Sequence, residues 1–207
     1  EAIVKNLRYY DNFKIFEVAE VFERGEFHPS SEDETLPVHK LMLTGALVGK
    51  DAKSLFFEAK GVVESLPRYC HMNGYQFRQV EKPTWADSDV YLNIINGNKE
   101  VIGSLGLVSV ATLSDAGVKK ASVAVFELDV KKLVPFTSRT NEFERLPQFP
   151  LVEEDLSLLA DENVKWEEIY EAIKHMAKEV SFIEEYRGAQ IPEGKKSIML
   201  RIKLGND

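Results

Sequence analysis

The sequence predicts an α+β fold in two successive units: an antiparallel sheet with flanking helices, then a smaller strand-helix-strand-strand unit. Three observations predict it. Runs rich in β-branched and aromatic residues recur along the chain between turn residues. One long segment instead spaces its apolar residues as a helix does. Past a polar stretch bounded by Pro135 and Pro147, the pattern starts afresh with a strand, a helix and two more strands.

In chain order, residues 13–23 carry Phe13, Ile15, Val18 and Val21. These break strict alternation, and with no helix cap ahead of them they predict a strand with one irregularity. "RGEFHPSSEDETLP" (24–37) is polar with Gly and Pro and predicts a mobile loop. "HKLMLTGALVG" (39–49) predicts a buried strand, with Gly45 at a bulge. Leu55, Ala59, Val62, Val63 and Leu66 then fall on one helical stripe. Asp51 or Ser54 caps that helix, over 54–66, and Pro67 ends or kinks it. Phe56 and Phe57 lie off the stripe, so the helix is expected to pack on two sides.

"VYLNIING" (90–97) and "EVIGSLGLV" (100–108) predict a hairpin turning at Asn96-Gly97-Asn98. "SVATLSDAG" (109–117) predicts a short helix ended by Gly117. "SVAVFELDV" (122–130) predicts a strand with Val123 and Val125 on one face and Ala124, Phe126 and Leu128 on the other. The first unit then covers residues 1–135 and a linker residues 136–147.

The second unit covers 148–207. Leu156 and Leu158 alternate with Asp155 and Ser157 as in a strand, and Trp166, Ile169, Ile173 and Met176 mark a helix face with Glu167 and Glu168 in its first turn. Strands follow at 180–188 and 195–204. In the last, Ile198, Leu200, Ile202 and Leu204 share one face; Lys195, Ser197, Met199, Arg201 and Lys203 share the other. The order β-α-β-β is that of a ferredoxin-like β-α-β-β-α-β domain without its last helix and strand. That shortfall, and a first residue that is Glu1 and not Met, are read as signs of an excised piece. The strand at 151–159 is then expected to have an uncovered edge.

Hydrophobic residues make up 44% of the 207 positions, enough to build a core. The net charge of −8 rules out nucleic-acid binding by bulk attraction, so any such contact needs a local basic patch. A single cysteine, Cys70, excludes an internal disulfide and fits a reducing compartment. It is followed by His71, but no second Cys or His lies at ligand spacing, so no metal site is expected and Cys70 reads as a half-buried thiol. No run of 18 apolar residues exists to cross a membrane as a helix.

Two sets of residues bear on function. Lys195, Arg201 and Lys203, with Lys196 and Arg187 nearby, form a local basic cluster, and Tyr186 or Phe182 is placed to stack on a base. An open sheet face of this kind suits single-stranded RNA. The plainer reading is a solvated strand face, in a unit that holds eight basic residues against thirteen acidic between Leu146 and Asp207. "FRQVE" (77–81) resembles faintly an Arg-Glu motif for binding ATP phosphates. The Arg78 to Glu81 spacing is one residue too long, and the Gly103 to Gly106 strand is followed by "LVSV" and not by an Arg. No catalytic residue is expected, and the two glycines read as close backbone packing.

"NFKIFEVAEVF", "HKLMLTGALVG", "LFFEAKGVVESL", "VFELDVKKL", "FPLVEEDLSLLADE" and the run from Tyr186 to Ser197 occur in an order that resembles the C-terminal part of the phenylalanyl-tRNA synthetase β chain of bacterial type. The resemblance covers nearly the whole chain. It implies a non-catalytic, class II synthetase-like module over 1–135 and the start of a ferredoxin-fold anticodon-binding domain over 148–207. It implies a cytoplasmic protein partnered by the α chain in an (αβ)2 heterotetramer and by tRNA(Phe), with no membrane partner. ATP and magnesium would be used by the whole enzyme, with no cofactor in this segment. The subunit interface is expected at Leu55, Phe56, Phe57 and Lys60. The tRNA contact is expected at Tyr186, Arg187, Lys195, Lys196, Arg201 and Lys203. Glu153 and Glu154 depart from the basic residues usual before the Asp of "FPLVEED". From other classes, a free-standing adenylate-forming enzyme and a small-molecule-binding ferredoxin-like module compete with this reading. ATP titration separates the first, and ligand-dependent melting the second.

Overall fold

The computed structural model describes residues 1–27, 37–72, 74–137 and 150–205. It divides into two compact units, Glu1–Asn141 and Glu142–Asp207. Of the predicted linker 136–147, residues 138–147 lie outside the described residues, as do 28–36 of the predicted loop.

The first unit is a six-stranded antiparallel sheet in the order β1-β2-β6-β5-β4-β3. After a short helix α1 (Ala2–Asn6), β1 (Phe13–Phe27) pairs with β2 (Pro37–Gly49). The expected loop therefore starts later than Arg24. The hairpin extends into it, with Phe27 paired to Pro37, and just before it Lys40 bonds Glu23 and His39 lies 3.7 Å from Glu20. The irregularity in β1 falls between Phe22 and Phe27. Gly45 sits at no bulge. It keeps regular register with Phe16 and with Phe126, and a Cβ there would fall 2.3 Å from the Phe126 ring, so the glycine makes room for that ring.

Helix α2 (Ala52–Cys70) is capped by Asp51, whose carboxylate accepts the Lys53 N–H at 3.1 Å. It continues through Pro67 and does not stop there. Proline this near the end removes only the one hydrogen bond its N–H would have given to Val63, and its ring is buried with Leu55, Ala59 and Val63. Among the described residues of this chain, the helix packs on one side. Phe56 leans on the same core, whereas Phe57 is 59% exposed.

Strand β3 (Gln76–Gln79), not foreseen in the sequence, pairs with β4 (Ala86–Ile95) at the sheet's far edge. Strands β4 and β5 (Val101–Val108) meet at the expected turn, where buried Asn96 accepts the N–H groups of Asn98 and Glu100 at 3.0 Å. Helix α3 (Val110–Asp115) ends before Gly117, whose φ is +82°. Strand β6 (Ser122–Asp129) runs into α4 (Val130–Leu133). Strand alternation sends Leu47, Leu105, Ala124, Phe126 and Leu128 to the core under α2. Ala46, Val48, Val123 and Val125 go to a second core with Ile3, Leu7, Leu113 and Val118. Both faces of its central strands are thus covered, whereas Phe16 and Phe22 on the edge strand β1 are exposed.

The second unit is a three-stranded antiparallel sheet in the order β7-β9-β8. Among the described residues, strand β7 (Val152–Asp161) has one neighbour, β9 (Lys195–Leu204), and nothing pairs with its other edge. Helix α5 (Trp166–Ile173) starts where the Glu168 carboxylate accepts the Lys165 N–H at 3.0 Å. Met176 falls beyond this helix and is 69% exposed, so it does not extend the helix face. Strand β8 (Glu179–Tyr186) pairs with β9.

Candidate nucleic-acid interface

One face of the second sheet lies under α5. Ile198 and Leu200 are buried there, opposite Leu158 and Leu156, and Trp166 meets Phe182 edge-on at 5.4 Å. Phe182 therefore belongs to the covered face and is not the stacking residue of an open one. Lys196 shares its parity with Ile198 and Leu200. It too is on the covered side, 6% exposed, with its ammonium 2.9 Å from Glu185. The expected cluster loses Lys196 to the interior.

A bulge in β8 decides the rest. Phe182 pairs with Leu200, but Glu184 pairs with Met199, Glu185 with Ile198 and Tyr186 with Ser197. The extra residue, Ile183, swaps the parity of everything after it. Glu185 turns to the covered face, where it meets Lys196. Tyr186 turns to the open face and is 49% exposed there. Arg187 is held by Glu185 at 2.7 Å and Glu162 at 3.3 Å.

The open face carries Lys195, Ser197, Met199, Arg201 and Lys203 on its central strand, and each cation there has a carboxylate across the ladder. Lys195 bonds Asp161 at 2.7 Å. Arg201 makes a two-pronged bond to Asp155, at 2.7 and 2.9 Å. Lys203 sits 2.8 Å from Glu179 and 3.6 Å from Glu153. The hydrogen bond from Arg201 holds the Asp155 carboxyl below its ordinary range, and that from Lys203 does the same to Glu179. The basic cluster of the sequence is thus a neutralised ladder. Its acidic half, Asp155, Asp161, Glu153 and Glu179, shows only once strand register is known. The uncharged end of the face is formed by Tyr186, Ser197 and Leu159, which is 55% exposed and pairs with Ser197.

The expected interface residues are dispersed. Leu55 is part of its own unit's core, and Phe56 is packed against it. Lys60 lies with its ammonium 4.5 Å from the centre of the Phe77 ring and bonds Glu64. Of these four, Phe57 alone is an exposed large apolar side chain. Arg78 is exposed on β3 opposite Asn93, and Glu81 is exposed beyond it. A Cβ on Gly103 would lie 2.0 Å from the Glu127 carbonyl oxygen, so close backbone packing accounts for this glycine. Cys70 is half-buried. Burial and the neighbouring Cys70 push the Tyr75 phenol up to about 12, and its hydroxyl donates to Met72 Sδ at 3.7 Å. Among the described residues, no three His, Cys, Asp or Glu side chains group as metal ligands, and no helix is long and apolar enough to cross a membrane.

Comparison with known proteins assigns both units. Residues 1–130 match the family model of the phenylalanyl tRNA synthetase beta chain CLM domain, and residues 147–207 match that of the ferredoxin-fold anticodon binding domain. The phenylalanine–tRNA ligase beta subunit of Clostridium acetobutylicum is 30% identical over 188 residues, covering 88% of this chain and 23% of that protein. Its counterpart from Syntrophotalea carbinolica is 28% identical, covering 100% and 26%. That of Bacillus subtilis is 27% identical, covering 96% and 25%. The chain spans about a quarter of the length of these relatives. A pyrrolysyl tRNA synthetase structure from Desulfitobacterium hafniense superposes with a TM-score of 0.50 at 10% identity, over 64% of this chain and 45% of that one, a likeness of fold. With two family domains in succession, each on its own structural unit, the chain belongs to the phenylalanyl-tRNA synthetase β-chain family.

Proposed function

We propose that this chain is a non-catalytic part of a phenylalanine–tRNA ligase that joins the α chain in an (αβ)2 heterotetramer and contacts tRNA(Phe) near its anticodon. The observation that carries this reading is the succession of a β-chain CLM domain and an anticodon-binding domain in one chain. On this reading the enzyme works in the cytoplasm, and ATP and magnesium serve the whole enzyme, with no cofactor bound by this segment. The open face of the second sheet is its RNA contact. Tyr186 supplies the π-surface for an unstacked base, and Lys195, Arg201, Lys203 and Arg187 supply cations that must exchange a carboxylate for a phosphate. The buried Lys196 plays no direct part.

The test is tRNA(Phe) affinity of the complete enzyme. Tyr186→Ala should weaken it about tenfold, the loss of one stacked base. Lys203→Glu should weaken it less, because Lys203 is already paired with Glu179. Unchanged affinity at moderate salt in both variants would defeat the RNA reading. Assembly is tested apart from it. Phe57→Asp should abolish co-elution with the α chain in size-exclusion chromatography with light scattering, while the chain keeps its fold; retained co-elution would count against Phe57 as the contact.

A further inference from the structure

We infer that Gly188 is a positioning residue for Tyr186: the absence of a side chain at 188 is what lets the Tyr186 ring lie along the open face. This rests on the reading of that face as an RNA contact. Strand β8 ends at Tyr186, and the chain turns after it, with the Ile191 N–H bonded to the Gly188 carbonyl at 2.9 Å. The tyrosine ring folds forward over the glycine. A Cβ at 188 would stand 2.1 Å from Tyr186 Oη, 2.4 Å from Cζ and 2.8 Å from Cε1.

The nature of these contacts decides what a substitution does. All three atoms belong to the far end of one side chain, and none to the backbone. Gly188 also lies outside the left-handed region that glycine alone tolerates well, since the positive-φ glycines are Gly117 and Gly194. An alanine at 188 is thus acceptable to the backbone and unacceptable to the ring, which must rotate away. Arg187, between the two, is tied to Glu185 and Glu162, and the nearest atoms over Gly188 are those of the Tyr186 ring. The ring's position is therefore set by what lies beneath it, and a base stacking on Tyr186 depends on residue 188 without touching it.

The experiment is a double-mutant cycle in the complete two-chain enzyme, with tRNA(Phe) transcript as the probe. Gly188→Ala should raise the KM for tRNA about tenfold, as Tyr186→Ala does, with kcat and thermal melting unchanged. The two together should be no worse than Tyr186→Ala alone. Additive losses, or a Gly188→Ala enzyme that binds as wild type while Tyr186→Ala does not, would overturn the inference. Wild-type affinity in both variants would instead remove the RNA reading of the face, and the inference with it. If Gly188→Ala lowers the melting temperature, adding Tyr186→Ala should restore it, because the clash is with that ring; a melting temperature left low by the second substitution would also overturn the inference.

Discussion

The two sheets are stabilised by different means. The six-stranded sheet has both faces of its central strands covered, with Leu105 and Leu128 under α2 and Val48 and Val123 on the reverse. The three-stranded sheet has Leu200 and Ile198 buried on one face only, and its other face is dressed by a ladder of ion pairs. The contrast separates folding from contact. Where both faces are closed, residue choice answers to packing. Where one face stays open, hydrophobic burial on one side holds the sheet, and the charges on the other side are free to serve binding.

That contrast can be broken by substitution. The largest losses should come from the closed faces. Leu105→Ala and Leu200→Ala, each at a fully buried position, should destabilise their units by about 2–5 kcal/mol in urea unfolding followed by circular dichroism. A much smaller loss at Leu200 would mean that the ion-pair ladder, and not burial, holds the second sheet. Next comes Lys196→Met, which strips a buried ammonium from Glu185. It should cost about 1–3 kcal/mol, toward the lower end because Arg187 still holds that carboxylate. The smallest effect should come from Asp155→Asn on the open face, where an exposed pair adds little at neutral pH.

The same aspartate sharpens the comparison through pH. Its carboxyl is held below the ordinary value of 3.8 by the hydrogen bond from Arg201. A depressed folded-state value contributes stability above the unfolded value, and that contribution is lost as pH falls through the folded one. An NMR titration should therefore show Asp155 titrating below pH 3.8, and Arg201→Gln should bring it back up. A wild-type midpoint at the ordinary value would show that the ladder is not formed in solution.

Much of the first unit was legible in its sequence, because periodicity is a local signal. The stripe Leu55, Ala59, Val63 and the alternation through Val123 to Leu128 each report the side they bury without reference to a distant strand. The errors share a physical cause. Pro67 reads as a terminator because its cost is visible in sequence, while the burial of its ring is not. Residues 24–27 read as loop because their pairing across the hairpin is invisible until the register is set. On the candidate face, the cations were legible and their neutralisation was not, since Asp155 and Arg201 lie 46 residues apart. Lys196 was grouped with the open face by its neighbours in sequence, although its parity with Ile198 places it on the other.

The bulge in β8 bears on how this strand can vary through descent. A change of one letter alters one side chain. Loss of the single codon for Ile183 would remove the bulge and leave Glu184, Glu185 and Tyr186 against the partners they already have, Met199, Ile198 and Ser197, so Tyr186 would keep the open face and Glu185 would stay beside Lys196. Strand length here thus has one residue of slack, which the bulge takes up. A lineage can lose that one residue and keep both faces of the strand, whereas the loss of a second would shift the register and exchange them.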